Sequence, residues 1–237
     1  TVQGAAMARF ALEELGVTKA AAIHDGDPYT EGLATVFADS FEEMGGEIVA
    51  FEAAGKGDTD MRPLLKTVAE AGPPEFLYYP IFIAEGAAIT TQAGEVSGLE
   101  NTILSGADGI QSPSFLEASG ESAEGMYVSG PDLSFSNELY QDFLATYQEN
   151  YGTEPTAPFH AHAFDATNMI LDAIEKVAVD DNGTLHIPRQ ALREALFATA
   201  AMEGITGTIT CDEYGDCADP RISVSQVQNG EFVRIWP

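Results

Sequence analysis

The pattern of apolar and polar residues is clearest between Lys19 and Gly46. The apolar run from Ala20 to Ile23 has the length of a strand that is buried on both faces, and the polar loop His24 to Thr30 follows it. Beyond that loop, apolar residues recur at helical spacing, at Leu33, Val36, Phe37, Phe41 and Met44. A second apolar run, Ile48 to Phe51, completes a strand–helix–strand unit, which predicts two parallel strands joined by a right-handed crossover.

The loop from His24 to Tyr29 begins where the first predicted strand ends. In open sheets of parallel strands, ligands bind outside the carboxyl ends of the strands. Tyr29 is therefore the first candidate for a functional side chain, and the alternative is that it only caps the loop.

The same alternation of strands and helices continues to about residue 129. Further strands are predicted at Phe76–Tyr79, Ile103–Leu104 and Gly125–Ser129. Helices are predicted at about residues 2–15, 61–71, 85–96 and 113–118. In the first of these helices the periodic positions are Val2, Ala5, Ala6, Ala8, Arg9, Leu12 and Leu15. Five strands alternating with helices are typical of an α/β fold with a parallel sheet, and Thr59 or Asp60 is the predicted cap of the helix at 61–71.

The pattern changes after Gly130-Pro131. Three helices follow with hardly a strand between them, at about residues 137–151, 159–179 and 189–200, and Asp180–Gly183 is predicted to be a polar turn. Three short β runs complete the chain, at residues 207–210, 222–227 and 231–236, with a turn at Asn229-Gly230. The three helices cannot cover a sheet of their own, so they are interpreted as part of a second layer whose strands are missing.

Composition narrows the possible partners. The chain has 237 residues, enough for one large domain or two small lobes, and a net charge of −28 from 38 acidic and 10 basic residues. Such a charge argues against binding nucleic acid or an anionic membrane surface. It indicates either a solvated acidic coat or adaptation to salty surroundings. No apolar run approaches the length of a membrane span, and no signal-peptide pattern precedes the first helix.

The two cysteines, Cys211 and Cys217, flank a segment that can turn at Tyr214-Gly215. A local disulfide that closes a hairpin is the preferred interpretation, and it favours an oxidising compartment. Two free thiols are the alternative. A metal site is disfavoured because two cysteines without a nearby histidine are too few ligands.

Five stretches in order along the chain resemble one known family. They are AAAIHDGDPYTEGLATVFADSFEEMGGEIV, GKGDTDMRPLLKTVAEAGPPEFLYY, ILSGADGIQSPSFLEASGESAEGMYVSGP, FLATYQENYGTEPTAPFHAHAFDATNMILDAI and GITGTITCDEYGDCADPRISVSQVQNGEFVRIWP. In order and spacing the chain resembles the periplasmic amino-acid-binding proteins of the leucine/isoleucine/valine transport type. The resemblance implies an α/β chain with the type I periplasmic-binding-protein fold, a parallel sheet flanked by helices.

The resemblance also implies a domain organisation. Residues 1–129 would form a complete lobe 2, residues 132–220 the returning helices of a partial lobe 1, and residues 222–237 strands that return to lobe 2. The family's signal peptide and the first half of lobe 1 would be absent, so this would be an N-terminally truncated member. The helices of the partial lobe 1 are then expected to expose apolar faces that the absent sheet would cover.

An amino-acid site needs an anion near the ligand ammonium, donors near its carboxylate and an apolar wall. By the resemblance, Tyr29 stands at the family's tyrosine of the first lobe 2 loop, where Thr30 replaces the usual glycine. Phe82 stands near an aromatic position after the third strand, and Asp108 stands where an acidic residue grips the ammonium. The alternatives are a core role for Phe82 and a plain turn at Asp108-Gly109. The donors for the ligand carboxylate would lie in the absent part.

The predicted function is that of an extracytoplasmic solute-binding protein, periplasmic or extracellular, that delivers a small amino acid to an ABC permease. It would not be an enzyme and would need no cofactor or metal. Its two lobes would close over the ligand, which by resemblance to the family would be a branched-chain amino acid. One alternative is a ligand-sensing domain of the same fold for amides, urea or another small polar solute. A remote alternative is a magnesium-dependent enzyme with Asp25, Asp27 and Asp108 as ligands.

Other polar groups carry less weight. His160 and His162 lie two apart near a helix start, so packing or surface roles are predicted for them. Asp165 is predicted to make local helix contacts. The loop cluster of His24, Asp25 and Asp27 is interpreted as solvated, and the alternative is a site for a divalent cation.

Overall fold

The computed structural model describes residues 2–135, 137–217 and 221–237. The chain divides into two compact units, unit 1 with Thr1–Asp132 and Arg221–Pro237, and unit 2 with Leu133–Pro220. Assignment of these units to the two lobes of the family stays a prediction. In the part of the chain that is described, no helix is long and apolar enough to cross a membrane.

Unit 1 is a seven-stranded sheet with helices on both faces. Its strands are β1 (Lys19–His24), β2 (Glu47–Ala53), β3 (Phe76–Tyr79), β4 (Ile103–Gly106), β5 (Tyr127–Pro131), β10 (Ile222–Gln228) and β11 (Glu231–Trp236). Its helices are α1 (Val2–Arg9), α2 (Pro28–Glu43), α3 (Arg62–Ala71), α4 (Ile83–Ala93) and α5 (Pro113–Ser119). A π-helical segment, Phe10–Glu14, extends α1, and 3-10 turns lie at Asp108–Ile110 and Gly120–Ala123.

The strand order across the sheet is β2-β1-β3-β4-β5-β10-β11. The first five strands pair in parallel, and β10 pairs antiparallel with β5 and with β11. Strand order therefore reverses between β1 and β3, which is the topological switch point where open α/β sheets bind ligands. The predicted parallel α/β sheet is confirmed.

The core of unit 1 lies on both faces of this sheet. Along β3, Phe76 and Tyr78 point into a cluster covered by α1 and α2, while Leu77 and Tyr79 point into a cluster covered by α3, α4 and α5. All four side chains are fully buried. Burial on both faces explains why β3 is a continuous apolar run rather than an alternating one.

Three sequence expectations about the faces and ends of secondary-structure elements change in unit 1. The buried positions of α1 and its extension are Gly4, Met7, Ala8, Phe10 and Ala11, so its apolar face is rotated from the predicted one. The cap position of helix α3 is Met61, which makes no side-chain cap bond, rather than Thr59 or Asp60, but Asp60 Oδ1 does accept the N–H of Arg62, the first helical residue, at 3.3 Å. Strand β4 extends two residues further than predicted, to Gly106.

Unit 2 consists of helices and two short hairpins. The helices are α6 (Glu138–Tyr151), α7 (His160–Val177) and α8 (Arg189–Phe197), and the hairpins pair β6 (Val179–Asp181) with β7 (Thr184–His186) and β8 (Met202–Gly204) with β9 (Gly207–Ile209). The polar turn predicted at Asp180–Gly183 is the tip of the first hairpin. Asn182 and Gly183 both have positive φ there, 54° and 86°, as a two-residue hairpin turn requires.

Two contacts in unit 2 bear on the earlier expectations. Cys211 and Cys217 form a disulfide, so the predicted local bridge is confirmed. The prediction for Asp165 is wrong, because this buried carboxylate accepts the backbone N–H groups of Ile205 and Thr206, each at 2.8 Å. Its partners lie some forty residues away along the chain, a contact that helix periodicity does not reveal.

Candidate functional site

Three neighbouring strands, β1, β3 and β4, bring the candidate side chains to one edge of the sheet in unit 1. Tyr29 follows β1, Phe82 follows β3 and Asp108 follows β4. Because parallel strands end at the same edge, the three loops are adjacent. The structure therefore brings together all three residues that sequence reasoning selected.

Tyr29 is positioned by the start of α2. The Asp27 side chain caps this helix by accepting the Tyr29 N–H at 3.0 Å, and Pro28 occupies the first turn. Asp25 accepts the Asp27 N–H at 3.0 Å and the Thr30 hydroxyl. Pro28 and the cap fix the direction in which the helix leaves the loop, and the Tyr29 side chain is 42% exposed.

The loop after β2 contacts the loops and helix starts at the carboxyl edge of the sheet. Lys56 Nζ lies 3.1 Å from Asp27 Oδ2, and the Gly57 N–H donates to Glu85 Oε1 at 2.8 Å. The pKa of Asp27 is lowered by the Tyr29 N–H first and by Lys56 next. One loop thus contacts the first turns of both α2 and α4, the helices that follow Tyr29 and Phe82.

Asp108 opens a 3-10 turn and is only 9% exposed. Its Oδ1 and Oδ2 lie 2.7 and 2.8 Å from the Tyr29 hydroxyl, which donates to the carboxylate. Gln3 Nε2 donates to Oδ1 at 2.5 Å. Within the described ranges, no lysine, arginine or histidine forms an ion pair with Asp108. Neutral donors therefore orient this charge without neutralising it.

The phenol of Tyr29 is a donor at any physiological pH. Burial raises its pKa well above the ordinary value, and the nearby charge of Asp108 raises it further. The Tyr29 hydroxyl therefore keeps its proton, which it needs in order to donate to the carboxylate.

Phe82 supplies apolar surface beside this carboxylate. Its ring centroid lies 6.3 Å from that of Tyr29 with 30° between the planes, and its side chain is 45% exposed. A Cβ at Gly109 would approach Phe82 Cδ1 to 3.3 Å and the Ile81 carbonyl oxygen to 2.9 Å. Glycine at 109 therefore lets the turn after β4 lie close against the end of β3. Exposure of this size argues against a plain core role for Phe82.

Sequence reasoning missed two groups at this edge. Gln3 reaches Asp108 from α1, and the fully buried Ser129 on β5 accepts from the same Gln3 amide at 3.0 Å through its carbonyl oxygen. The signal for Gln3 was its spacing from Met7 and Phe10, four and seven residues on, which places a polar side chain on the buried face. That face was predicted in the wrong rotation.

The remaining polar candidates have other contacts. His160 Nε2 lies 2.8 Å from the Tyr140 hydroxyl, and His162 packs edge-on against Phe135 and Phe159. Within the described residues, no group of three or more His, Cys, Asp or Glu side chains is arranged to hold a metal ion. The carboxylates of Asp25 and Asp27 accept hydrogen bonds within their own loop. Asp25 is buried there, so the interpretation of this cluster as solvated is wrong for Asp25.

A profile of the periplasmic binding protein family matches residues 1–231, and the chain belongs to that family. The resemblance drawn from the sequence is thereby confirmed.

Among curated relatives, a Leu/Ile/Val-binding protein homolog of Brucella melitensis is 25% identical over 233 residues, which cover 98% of this chain and 60% of that protein. The leucine-, isoleucine-, valine-, threonine-, and alanine-binding protein of Pseudomonas aeruginosa is 27% identical over 215 residues, 91% of this chain and 54% of that protein. The crystal structure of a leucine-binding protein from Thermotoga maritima matches with a TM-score of 0.85 at 30% identity, covering 99% of this chain and 64% of that one. The chain thus spans between half and two thirds of the length of these relatives.

Proposed function

We propose that this protein is the extracytoplasmic substrate-binding component of an ABC importer for a small amino acid, and that it binds a branched-chain aliphatic amino acid without turning it over. The observation that carries the proposal is the state of the Asp108 carboxylate, which is 9% exposed and is oriented by Tyr29 and Gln3. No basic side chain of the described residues forms an ion pair with it. A buried anion in that state attracts a cationic group.

In this proposal the three side chains have different parts in binding. Asp108 accepts from the ligand ammonium, and the Tyr29 phenol, which donates to Asp108, holds the Asp108 carboxylate in place. The half-exposed ring of Phe82 meets the aliphatic side chain. Leucine, isoleucine and valine stand in the names of both curated relatives, and the Pseudomonas aeruginosa name adds threonine and alanine, which supports a small aliphatic amino acid as the ligand class. A permease as the partner and a place outside the cytoplasm follow from the same transport role.

The test is isothermal titration calorimetry of this chain with each of the twenty amino acids, accompanied by thermal unfolding. We expect binding of leucine, isoleucine or valine, and ligand at a hundred times Kd should stabilise the fold by about 2.7 kcal/mol. Asp108→Asn should weaken binding about a hundredfold, because it removes the charge that the ammonium contacts. Asp172→Asn, at an exposed carboxylate of α7, is the matched control and should leave Kd unchanged.

Absence of binding in the wild-type chain, or equal affinity in Asp108→Asn, would contradict the proposal. A second variant examines the ligand side chain. Phe82→Tyr adds a hydroxyl to the apolar wall, so it should reduce the preference for valine over its near-isostere threonine. The ratio of the two Kd values measures that preference, and an unchanged ratio would remove Phe82 from the site.

A further inference from the structure

Gln3 has an unusual position for an amide at the start of a helix. Its Nε2 donates to Asp108 Oδ1 at 2.5 Å and to the Ser129 carbonyl oxygen at 3.0 Å, and Ser129 Oγ lies 3.3 Å away. A carboxylate and a carbonyl can only accept, so the nitrogen of the amide must face them. The two hydrogens of Nε2 are both used, one toward the turn after β4 and one toward β5.

The backbone of α1 is held in place for this contact. Met7 and Phe10, on the same side as Gln3, are 0% and 3% exposed. At Gly4, a Cβ would lie 2.7 Å from the Leu33 carbonyl oxygen and 2.9 Å from the Phe37 nitrogen. Helix α1 therefore packs directly on the backbone of α2, which carries Tyr29 on its first turn. The two donors to Asp108 come from two helices in direct contact.

The two oxygens of Asp108 are unequally used. Among the described residues, Oδ1 lies within hydrogen-bond distance of both Gln3 and Tyr29, whereas Oδ2 lies within hydrogen-bond distance of the Tyr29 hydroxyl alone. A phenol has one proton to donate, and each carboxylate oxygen can accept about two hydrogen bonds. Gln3 thus occupies Oδ1 and leaves Oδ2 with more capacity to accept a further hydrogen bond.

We propose that Gln3 is a positioning residue for ligand binding, which orients the Asp108 carboxylate so that Oδ2 accepts from the ligand ammonium. This inference rests on the proposed function. Gln3 acts through Asp108 and does not itself touch the ligand. Being neutral, it fixes the carboxylate without competing with the ammonium for its charge, which a lysine at the same position would do.

The experiment is a double-mutant cycle with L-leucine as the probe and Kd from calorimetry as the readout. Gln3→Met keeps the length of the side chain and removes both donors, and it should weaken binding about tenfold. In the Asp108→Asn background the same change should weaken binding less than about twofold, because a residue that acts only through Asp108 has nothing left to orient. Gln141→Met, at an exposed glutamine of α6, is the control and should leave Kd unchanged.

A merely structural role for Gln3 would give additive losses in the cycle, and that result would overturn the inference while leaving the proposed function in place. Unchanged Kd in Gln3→Met would overturn it as well. Failure of the wild-type chain to bind leucine, isoleucine or valine would overturn the proposed function and the ligand role of Gln3 with it. If Gln3→Met does not fold, Gln3→Asn retains the amide but withdraws it by one methylene, and the same cycle applies.

Discussion

The helices of the two units differ in how much apolar surface they bury. In unit 1, α2 buries Leu33, Phe37 and Phe41 against the sheet. In unit 2, α8 buries none of its side chains. A helix in a protein is stabilised mainly by packing of its apolar face rather than by its own propensity. Unit 1 should therefore be the more stable, and unit 2 the more dependent on individual polar contacts.

The apolar surface of unit 2 shows the same contrast. Its buried core cluster contains Tyr140, Ala161 and Ile205. Along α7, by comparison, Phe164, Ile170 and Leu171 are 38%, 44% and 52% exposed. This exposure agrees with the expectation that the helices after residue 131 leave apolar faces uncovered. A helical pattern therefore predicts a helix equally well in both units, but it does not predict how much apolar surface the helix buries or how strongly packing stabilises it.

A matched pair of Phe→Ala substitutions gives the largest expected difference. Phe37 is fully buried, and its ring contacts those of Phe41, Phe76 and Tyr78. Phe37→Ala should lower the free energy of unfolding by about 3–5 kcal/mol. Phe164→Ala, at a partly exposed ring of α7, should cost less than about 1 kcal/mol. Urea unfolding measures both, and equal losses would contradict the comparison.

Asp165 should be the most sensitive position of unit 2. It accepts two backbone N–H groups and the Thr206 hydroxyl at 2.7 Å, so Asp165→Asn places an amide against donors. We expect a loss of about 1.5–3 kcal/mol, the usual range for hydrogen bonds to a buried charge. Hydrogen exchange should show the lost protection at residues 202–209, with Asp172→Asn as the exposed control. Protection unchanged at this hairpin would show that unit 2 does not rely on the contact.

Two glycines near the contact between α1 and α2 should respond with opposite signs. Gly4→Ala places a Cβ against the backbone of α2 and should destabilise unit 1 by about 1–3 kcal/mol. Gly32→Ala has open space around it within α2 and should stabilise by about 0.5–1 kcal/mol, because alanine favours helix. Thermal unfolding compares them, and the same sign for both would rule out a close α1–α2 contact.

A pH effect confined to unit 2 is the smallest expected change. Burial lowers the pKa of His162 below its ordinary 6.5, and Asp165 opposes this shift without reversing it. The unfolded chain then binds the proton more readily, so the stabilising contribution is complete above about pH 6.5 and declines as the pH falls toward the lower folded-state value. His162→Phe should flatten this part of the stability profile, whereas His186→Phe, at an exposed histidine, should not. If the pH dependence of stability remains in His162→Phe, it arises from a group other than His162.

The fold of unit 1 could be predicted because its strands are buried on both faces and its helices are periodic. Strand β3, for example, was predicted with the bounds that it has, Phe76–Tyr79. The hairpin of β6 and β7 was missed because all six of its residues are exposed, which leaves no apolar alternation to detect. Only Asn182-Gly183, a sequence that favours tight hairpin turns, marked it.

The candidate site was partly accessible from the sequence. Tyr29 followed from the position of a loop after a strand, and Phe82 and Asp108 from resemblance to a family. Gln3 could not be found in this way, because its role depends on which face of α1 meets the sheet. A small error in helix rotation turns a half-buried glutamine into an apparently solvated one.

One contact in unit 1 has a consequence for spectroscopy. Trp236 is the single tryptophan of the sequence, and its ring lies 5.9 Å from that of Phe10, at the end of α1. Phe10 is about two helical turns beyond Gln3. Emission excited in the tryptophan band therefore arises from one place, beside the helix that bears the Gln3 amide. The protein thus carries its own optical reporter, with which the unfolding of unit 1 can be followed without an attached dye.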